Sequence, residues 1–213
     1  ISRTGYTGDL GFEVWMDAGD ALPVWDALMV HGKSYGITPA GMLALDIARI
    51  EAGLILLDVD YVSARKALIP GQLSSPFELA LAWTVSIDKQ PFNGKQALAR
   101  EKAERPSWAL MGLEIDWLTL ERLYEDMGLA PRLPATASRV SVPVYDGSKQ
   151  VGYATSSCWS PLLKRYIALA HLEASAAKPG NEVEFELTVE HRRKRAKARV
   201  RKLPFYDPPR KRA

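Results

Sequence analysis

The spacing of apolar residues predicts three helices in the first half of the chain. Leu22, Trp25 and Leu28 recur at the interval that places side chains on one face of a helix. Asp20 suits the N-cap of this segment, and Pro39 suits the first turn of the next one. The predicted helices cover residues 20–32, 39–52 (stopped by Gly53) and 95–102.

Alternation of apolar and polar residues predicts a short strand near the start. Phe12 and Val14 alternate with Glu13 and Trp15, which places Glu13 on the same face as an aromatic ring. Two further apolar stretches are strand-like or irregular, at residues 54–62 and 77–87.

After Glu104-Arg105-Pro106 the chain changes to short alternating runs separated by turns. Asp146-Gly147 and residues 178–181 are hairpin-turn signals. The predicted strands cover residues 107–115, 140–145, 150–156, 165–171, 182–190 and 193–203. The sequence therefore predicts an α+β fold in two domains, with an α+β half over residues 1–105 and a small barrel or sandwich over 106–213.

Composition is that of an ordinary globular protein, with 47% apolar and 25% charged residues. No apolar run approaches the roughly 20 residues of a membrane-spanning helix, so we expect no membrane partner. The single cysteine excludes an internal disulfide framework and fits a reducing, cytoplasmic compartment. Because the chain opens at Ile1 without an initiator Met, we expect a missing upstream segment.

Basic residues are concentrated near the end of the chain. Eleven of the 28 Lys and Arg residues lie in 191–202 and 208–213, which contain no acid, so the remainder carries 17 bases against 25 acids. Such a tail raises the possibility of nucleic-acid binding. However, Glu182, Glu184, Glu186 and Glu190 fall on one strand face, and the bases of 193–201 fall on one face of the next strand. A hairpin turning near His191 would pair these faces, so we predict cross-strand charge pairing and no nucleic-acid partner.

Two clusters of charged residues have structural interpretations. Arg49 and Glu51 lie near Asp46 on the second helix, an arrangement that more often orders a domain interface than acts on substrate. Asp58 and Asp60 alternate in a strand-like segment, which puts both carboxylates on one face. Acid–base work and cation binding are alternatives there, and we favour hydrogen bonding to loop backbone.

Cysteine and histidine give no sign of a nucleophile or a metal centre. Cys158 has no histidine near it in the sequence, so we expect a semi-buried packing thiol. His31, His171 and His191 lie far apart without ligand spacing, so we predict structural histidines and no metal site.

Four blocks of sequence resemble the glycine cleavage T-protein, or aminomethyltransferase, family. Residues 2–14 (SRTGYTGDLGFEV) are similar to its SRTGYTGExGFE segment, and residues 41–54 (GMLALDIARIEAGL) resemble its helix ending in RxEAGL. Residues 79–98 and 152–170 resemble its LxWxVxxDKxxFxGKxAL and GxxTSxxxSPxLxxxIALA patterns. The four blocks occur in family order along nearly the whole chain. The resemblance implies an α+β folate-binding domain, a C-terminal β-barrel and tetrahydrofolate as cofactor.

A folate site needs a carboxylate and stacking surfaces. The pterin ring presents an exocyclic amine and a ring N–H side by side, and one carboxylate accepts from both. In the resembled family, Tyr and Glu at the positions of Tyr6 and Glu13 contact folate, and Trp83 offers a further stacking face. The residues alone favour a structural interpretation, in which Glu13 is an exposed strand residue and Tyr6 fills a turn. The resemblance favours Tyr6, Glu13 and Trp83 as cofactor-binding residues.

Two departures from the family pattern bear on activity. The family commonly has Arg at the position of Leu45, where it helps to bind the cofactor. Its catalytic Asp lies upstream of the SRTGYTG segment, and no residue of this chain matches it. We therefore name no catalytic residue and expect the chain alone to be inactive.

The resemblance implies tetrahydrofolate-dependent transfer of an aminomethyl or methyl one-carbon unit. The donor is either an aminomethyl group on a lipoyl carrier protein or a small methylated compound. Leu45 and the ending 204–209 (PFYDPP) favour a divergent relative over the glycine cleavage enzyme proper. A non-catalytic folate-binding or assembly protein on the same fold is the alternative, and a basic-tailed nucleic-acid binder is a third.

Overall fold

The first half of the chain contains three helices joined by turns. The structure, a computed structural model, describes residues 1–212. The helices are α1 (Ala21–Gly32), α2 (Met42–Glu51) and α3 (Lys95–Glu104), which confirms all three predictions. Helix α2 begins three residues later than predicted because Gly41 is its extended N-cap, and it ends before Gly53, whose φ is +68°.

The strand predicted at residues 11–15 is wrong. Glu13 pairs with Ser2 in a single isolated antiparallel bridge, and the neighbouring residues are loop. Residues 54–62 and 77–87 are turns with one isolated bridge, Leu57 to Tyr61, and a 3-10 turn at Ala82–Thr84. Alternation alone does not make a strand, because an extended segment needs a ladder partner to satisfy its backbone.

The second half is a closed barrel of six antiparallel strands. The strands are β1 (Trp108–Ile115), β2 (Val142–Asp146), β3 (Lys149–Ser160), β4 (Arg165–Glu173), β5 (Glu182–Val189) and β6 (Arg192–Arg201). Their order is β1-β4-β3-β2-β5-β6, and β6 pairs with β1 to close the sheet. All six predicted strands and the barrel are thereby confirmed, and closure removes the exposed sheet edges that invite aggregation.

The barrel encloses the main hydrophobic core. Each strand sends alternate side chains inward, and one buried residue from each in chain order is Leu113, Val144, Ala154, Leu172, Phe185 and Ala198. Helix α4 (Trp117–Glu125) packs against β6 and adds Leu120 to this core. The apolar pattern did not predict α4. Its apolar residues Trp117 and Leu118 are partly exposed, so their positions do not mark the face that carries its single buried residue, Leu120.

The charged hairpin forms as predicted. Strands β5 and β6 place Glu182 opposite Arg199 and Glu186 opposite Arg195. Arg193, Arg195 and Arg199 each form a salt bridge with a glutamate of β5. Glu190 lies with His191 in the turn, at positive φ, so it does not belong to the acidic face.

Helix α2 joins the first half to the barrel. Ile50 packs in a second, smaller core with Cys158, Ile167 and Leu169 of the barrel wall. Cys158 is therefore a fully buried packing thiol, and burial raises its pKa to about 12. Helix α1, by contrast, has no buried residue. The division of the chain at residue 105 stays a prediction.

None of the helices within residues 1–212 combines the length and apolar character that crossing a membrane requires. Within the same residues, no group of three or more His, Cys, Asp or Glu side chains is arranged to hold a metal ion.

Candidate functional site

The opening loop is closed by its two ends. The backbones of Ser2 and Glu13 exchange two hydrogen bonds of 2.9 Å each. The Thr4 hydroxyl donates to Oε2 of Glu13 over 2.8 Å, and the carboxylate remains exposed. The loop therefore presents one oriented carboxylate that has capacity to accept further hydrogen bonds.

Tyr6 lies inside this loop and points towards the body of the protein. Its hydroxyl donates to the Ile55 carbonyl over 2.6 Å, and the side chain is half-buried. Burial is the main cause that raises the Tyr6 pKa, while the nearby Arg49 charge acts in the opposite direction. Because the hydroxyl is already committed, the ring is the part of Tyr6 that can meet a ligand.

The middle of the loop docks on helix α2 and on the chain end. Gly8 has φ +71°, and a Cβ there would lie only 2.4 Å from the Cβ of Ala52, so glycine is required. Arg210 forms an ion pair with Asp9 and also donates to the Tyr206 hydroxyl over 2.9 Å. Hydrogen bonds from Arg210 are the main cause that lowers the Asp9 pKa.

A buried charge network lies beneath the loop. Arg49, with 0% exposure, donates to Asp46 over 2.9 Å, to Asp60 over 2.5 Å and to Ser156 of β3 over 2.8 Å. Glu51 accepts a further buried hydrogen bond from Ser160 over 2.5 Å. These contacts join α2 to the barrel, which confirms the interface interpretation of Arg49 and Glu51.

Asp60 is the second centre of this network. Its carboxylate accepts from the Leu56 backbone N–H over 2.8 Å, as expected of a loop-binding carboxylate, and from the hydroxyls of Thr155 and Ser156. Asp58 instead is exposed and pairs with Lys66. The prediction that Asp58 and Asp60 share a face is wrong, because the segment is a turn in which Asp58 has φ +62°.

His171 supports Asp60 from the barrel. Its Nε2 lies 2.7 Å from the Asp60 carbonyl, which can only accept, so Nε2 carries the proton. Burial lowers the pKa of His171, and the neutral ring stacks on Tyr153 at 5.2 Å. This is a structural histidine, as predicted.

Trp83, the third predicted site residue, lies in a part of the chain outside the opening loop. It is 81% exposed in its 3-10 turn. Within residues 1–212, no hydrogen bond or ring contact joins it to Tyr6 or Glu13. The structure thus brings Tyr6 and Glu13 into one loop, and contact of all three residues with folate stays a prediction.

Sequence reasoning missed two residues that hold this loop. Thr4 orients Glu13, and the Ile55 carbonyl accepts from Tyr6. Asp60, predicted to bind loop backbone, was not connected with Tyr6. One signal was present in the sequence, the polar pair Thr155-Ser156 in a strand whose neighbours are largely apolar or small.

Comparison with known proteins gives the family. The model of the GCVT N-terminal domain matches residues 1–89. The model of the glycine cleavage T-protein C-terminal barrel domain matches residues 127–207. The chain belongs to the glycine cleavage T-protein family.

Three relatives illustrate the extent of the T-protein likeness. An aminomethyltransferase of Bacillus pumilus is 36% identical over 97% of this chain and 48% of its own length. A trimethylamine-oxide aldolase of Ruegeria pomeroyi is also 36% identical, over 98% of this chain and 23% of its own length. The crystal structure of glycine cleavage system aminomethyltransferase T from Bartonella henselae is 26% identical, has a TM-score of 0.74, and is matched over 97% of this chain and 49% of that one.

These matches fix the fold and the kind of relative. The chain has an α+β fold with a six-stranded antiparallel barrel that matches the T-protein structure, and it is a relative of aminomethyltransferases. It spans about half the length of the aminomethyltransferases that it matches.

Proposed function

We propose that this chain supplies a folate-contacting loop and the terminal barrel of a tetrahydrofolate-dependent one-carbon transferase. The observation that carries the proposal is the opening loop, in which a T-protein motif presents an oriented, exposed carboxylate beside a half-buried tyrosine. Family membership supports tetrahydrofolate as the ligand.

The residues present fit a pterin. Glu13 keeps acceptor capacity after binding Thr4, and a carboxylate accepts from the pterin amine and ring N–H together. The Tyr6 ring supplies an aromatic face, and exposed Trp83 supplies a second one. Tetrahydrofolate, when bound, supplies the N5 atom that accepts the one-carbon unit. The role of this chain is to bind and orient it.

The donor is an aminomethyl group on a lipoyl carrier protein or a small methylated compound. The aminomethyltransferase relatives support the first. The similarity to a trimethylamine-oxide aldolase supports the second. Leu45, on the partly exposed side of α2, replaces the arginine that the family commonly uses, which favours a divergent relative with an altered donor.

A binding-only role is the alternative proposal. It is favoured by the same Leu45, which removes a polar contact with the cofactor. In that case the chain binds folate or serves assembly on the T-protein fold without transfer.

Calorimetric titration of tetrahydrofolate into the longest polypeptide that the gene encodes tests the proposal, beside Glu13→Gln. The substitution keeps the shape but replaces one acceptor oxygen with a donor, so we expect affinity to fall about 10- to 100-fold. Asp58→Asn, an equally exposed carboxylate outside the loop, is the control and should bind as the parent does. A well-folded parent that binds no tetrahydrofolate would sink the folate assignment.

A further inference from the structure

The Tyr6 ring is connected to the barrel through a short series of hydrogen bonds. Its hydroxyl donates to the Ile55 carbonyl over 2.6 Å. The next backbone N–H, that of Leu56, donates to the Asp60 carboxylate over 2.8 Å. The Ser156 hydroxyl of β3 donates to the same carboxylate over 2.7 Å. The Ile55 carbonyl and the Leu56 N–H belong to one peptide group, so a single peptide plane separates the Tyr6 hydroxyl from a carboxylate that the barrel holds.

Asp60 has little freedom to move. It is 2% exposed, and its carboxylate also accepts from Arg49 and Thr155. His171 donates to its backbone carbonyl over 2.7 Å. Hydrogen bonds of a buried carboxylate are strong because the surroundings have a low dielectric constant, and each supports the others. The Leu56 backbone is thereby fixed relative to the barrel.

Tyr6, in contrast, has one polar anchor. The rest of its loop is held by the Ser2–Glu13 backbone bridge, by the close approach of Gly8 to Ala52, and by the surface contacts of Thr4 with Glu13 and of Asp9 with Arg210. Exposed contacts of this kind contribute little to order because water competes for them. The orientation of the ring therefore depends on where the Ile55 carbonyl lies.

We infer that Asp60, held by Arg49 and Ser156, is a positioning residue that sets the orientation of the Tyr6 ring through the Ile55–Leu56 backbone. That the oriented ring serves folate rests on the proposed function, whereas the anchoring itself does not. Asp60 touches no ligand in this scheme. Its effect on binding passes entirely through Tyr6.

Two serines of β3 provide a matched test. Ser156 and Ser160 are both buried and both hydrogen-bond a carboxylate of the first half, but only Ser156 contacts Asp60. Ser156→Ala and Ser160→Ala are the same chemical change, and each removes two hydrogen bonds. Each serine donates to a carboxylate, and its hydroxyl also accepts, from Arg49 in the case of Ser156 and from the Leu163 backbone N–H in the case of Ser160. Thr155→Val, which removes the other hydroxyl on Asp60, replaces Ser156→Ala if that variant does not fold.

The first measurement is hydrogen exchange of residues 1–16 in the full chain, followed by mass spectrometry. We expect Ser156→Ala to speed exchange in this segment by about threefold or more, and Ser160→Ala to leave it unchanged. Equal effects from both serines, or none from Ser156→Ala, would overturn the inference.

The second measurement is the affinity for tetrahydrofolate. Ser156→Ala should weaken binding about three- to tenfold, as expected for one indirect hydrogen bond, while Ser160→Ala at similar stability should not. A parent that binds no tetrahydrofolate would refute the proposed function, and the exchange result would then decide the anchoring by itself.

A double-mutant cycle with Tyr6→Phe separates positioning from general loosening. If Asp60 acts through the Tyr6 hydroxyl, adding Ser156→Ala to Tyr6→Phe should cause no further loss of affinity. If the double variant loses affinity by the product of the two single losses, Ser156 affects the ligand by another route, and the positioning role is overturned.

Discussion

Apolar side chains of similar kind are buried in the barrel but exposed in the segment around helix α1. Leu113 and Leu172 are fully buried inside the barrel, whereas Leu22 and Leu28 of α1 are exposed. Helix α1 packs mainly against the 3-10 turns that flank it, and an apolar hollow of about 440 Å³ lies between it and Ile37. The strands of the barrel stabilise one another, while a 12-residue helix without tertiary packing is marginal in water.

Helix α2 shows what makes the difference. It is two residues shorter than α1, yet four of its residues are buried because it lies on the barrel wall. Burial of helical residues in the first half therefore follows contact with the barrel.

The largest expected effect comes from breaking the link between the two regions. In Arg49→Met, Asp46 and Asp60 stay buried without their shared cation, so the free energy of unfolding should fall by about 3–5 kcal/mol. Arg139→Met is the matched control. Arg139 also binds Asp46 over 2.9 Å but is 53% exposed, so its loss should cost under about 1 kcal/mol. Urea unfolding measures the free energy of unfolding of both variants. Equal losses of stability would contradict the role of buried Arg49 in holding the first half on the barrel.

A pair of leucine truncations tests the two regions directly. Leu113→Ala should cost about 2–5 kcal/mol because it leaves a cavity in the barrel core. Leu28→Ala, at 47% exposure on α1, should change stability by less than about 0.5 kcal/mol. A substantial loss from Leu28→Ala in urea unfolding would show that the face of α1 is covered in solution.

The next largest expected effect is a dependence of stability on pH, which arises from His171 in the barrel wall. Burial lowers the pKa of His171 below its ordinary 6.5, so the unfolded chain takes up the proton first as the pH falls. Stability should therefore decline below pH 6.5, by at most about 1.4 kcal/mol per pH unit, and level off below the folded-state pKa.

Unfolding of His171→Gln across the same pH range isolates this contribution. The glutamine keeps an N–H donor for the Asp60 carbonyl but does not titrate, so the decline should shrink. Exposed His31 on α1 is the control, and His31→Gln should keep the full decline. An unchanged slope in His171→Gln would assign the dependence to other groups.

The smallest effects lie on the charged hairpin. Arg195 lies 3.5 Å above the Tyr145 ring and donates to the Gly147 carbonyl over 2.8 Å, so Arg195→Ala should cost about 1 kcal/mol. Arg193 is 81% exposed and 3.8 Å from Glu186, so after allowance for screening Arg193→Ala should cost under about 0.5 kcal/mol. Thermal unfolding at low and high salt distinguishes them, and a larger loss for Arg193 would reverse this ranking.

Much of the fold was predictable because its signals are local. Strands β5 and β6 alternate with period two, and turn residues such as Asp146-Gly147 separate neighbouring strands. The three helices of the first half likewise follow apolar spacing and their stop signals. Residues 11–15 alternate equally well but form only a bridge, because the chain brings no partner strand beside them.

The candidate site was predictable only in part. The motif named Tyr6 and Glu13 together, but Glu13 was predicted to lie in a strand and lies instead in a loop that its bridge to Ser2 closes. The motif gave no indication that the Tyr6 hydroxyl would be bound by Ile55. Such pairings join residues 49 positions apart, and no local pattern encodes them.

By itself, the sequence determined the secondary structure of the barrel, the charge pairing of its last hairpin and the T-protein family. These follow from side-chain period, turn chemistry and motif order, which are properties of neighbouring residues. The tertiary structure alone decided that Asp60 is buried while Asp58 is exposed, and that Arg49 meets Ser156 across 107 positions. The physical reason is that burial of a charge depends on every segment packed around it, and those segments come from distant parts of the chain.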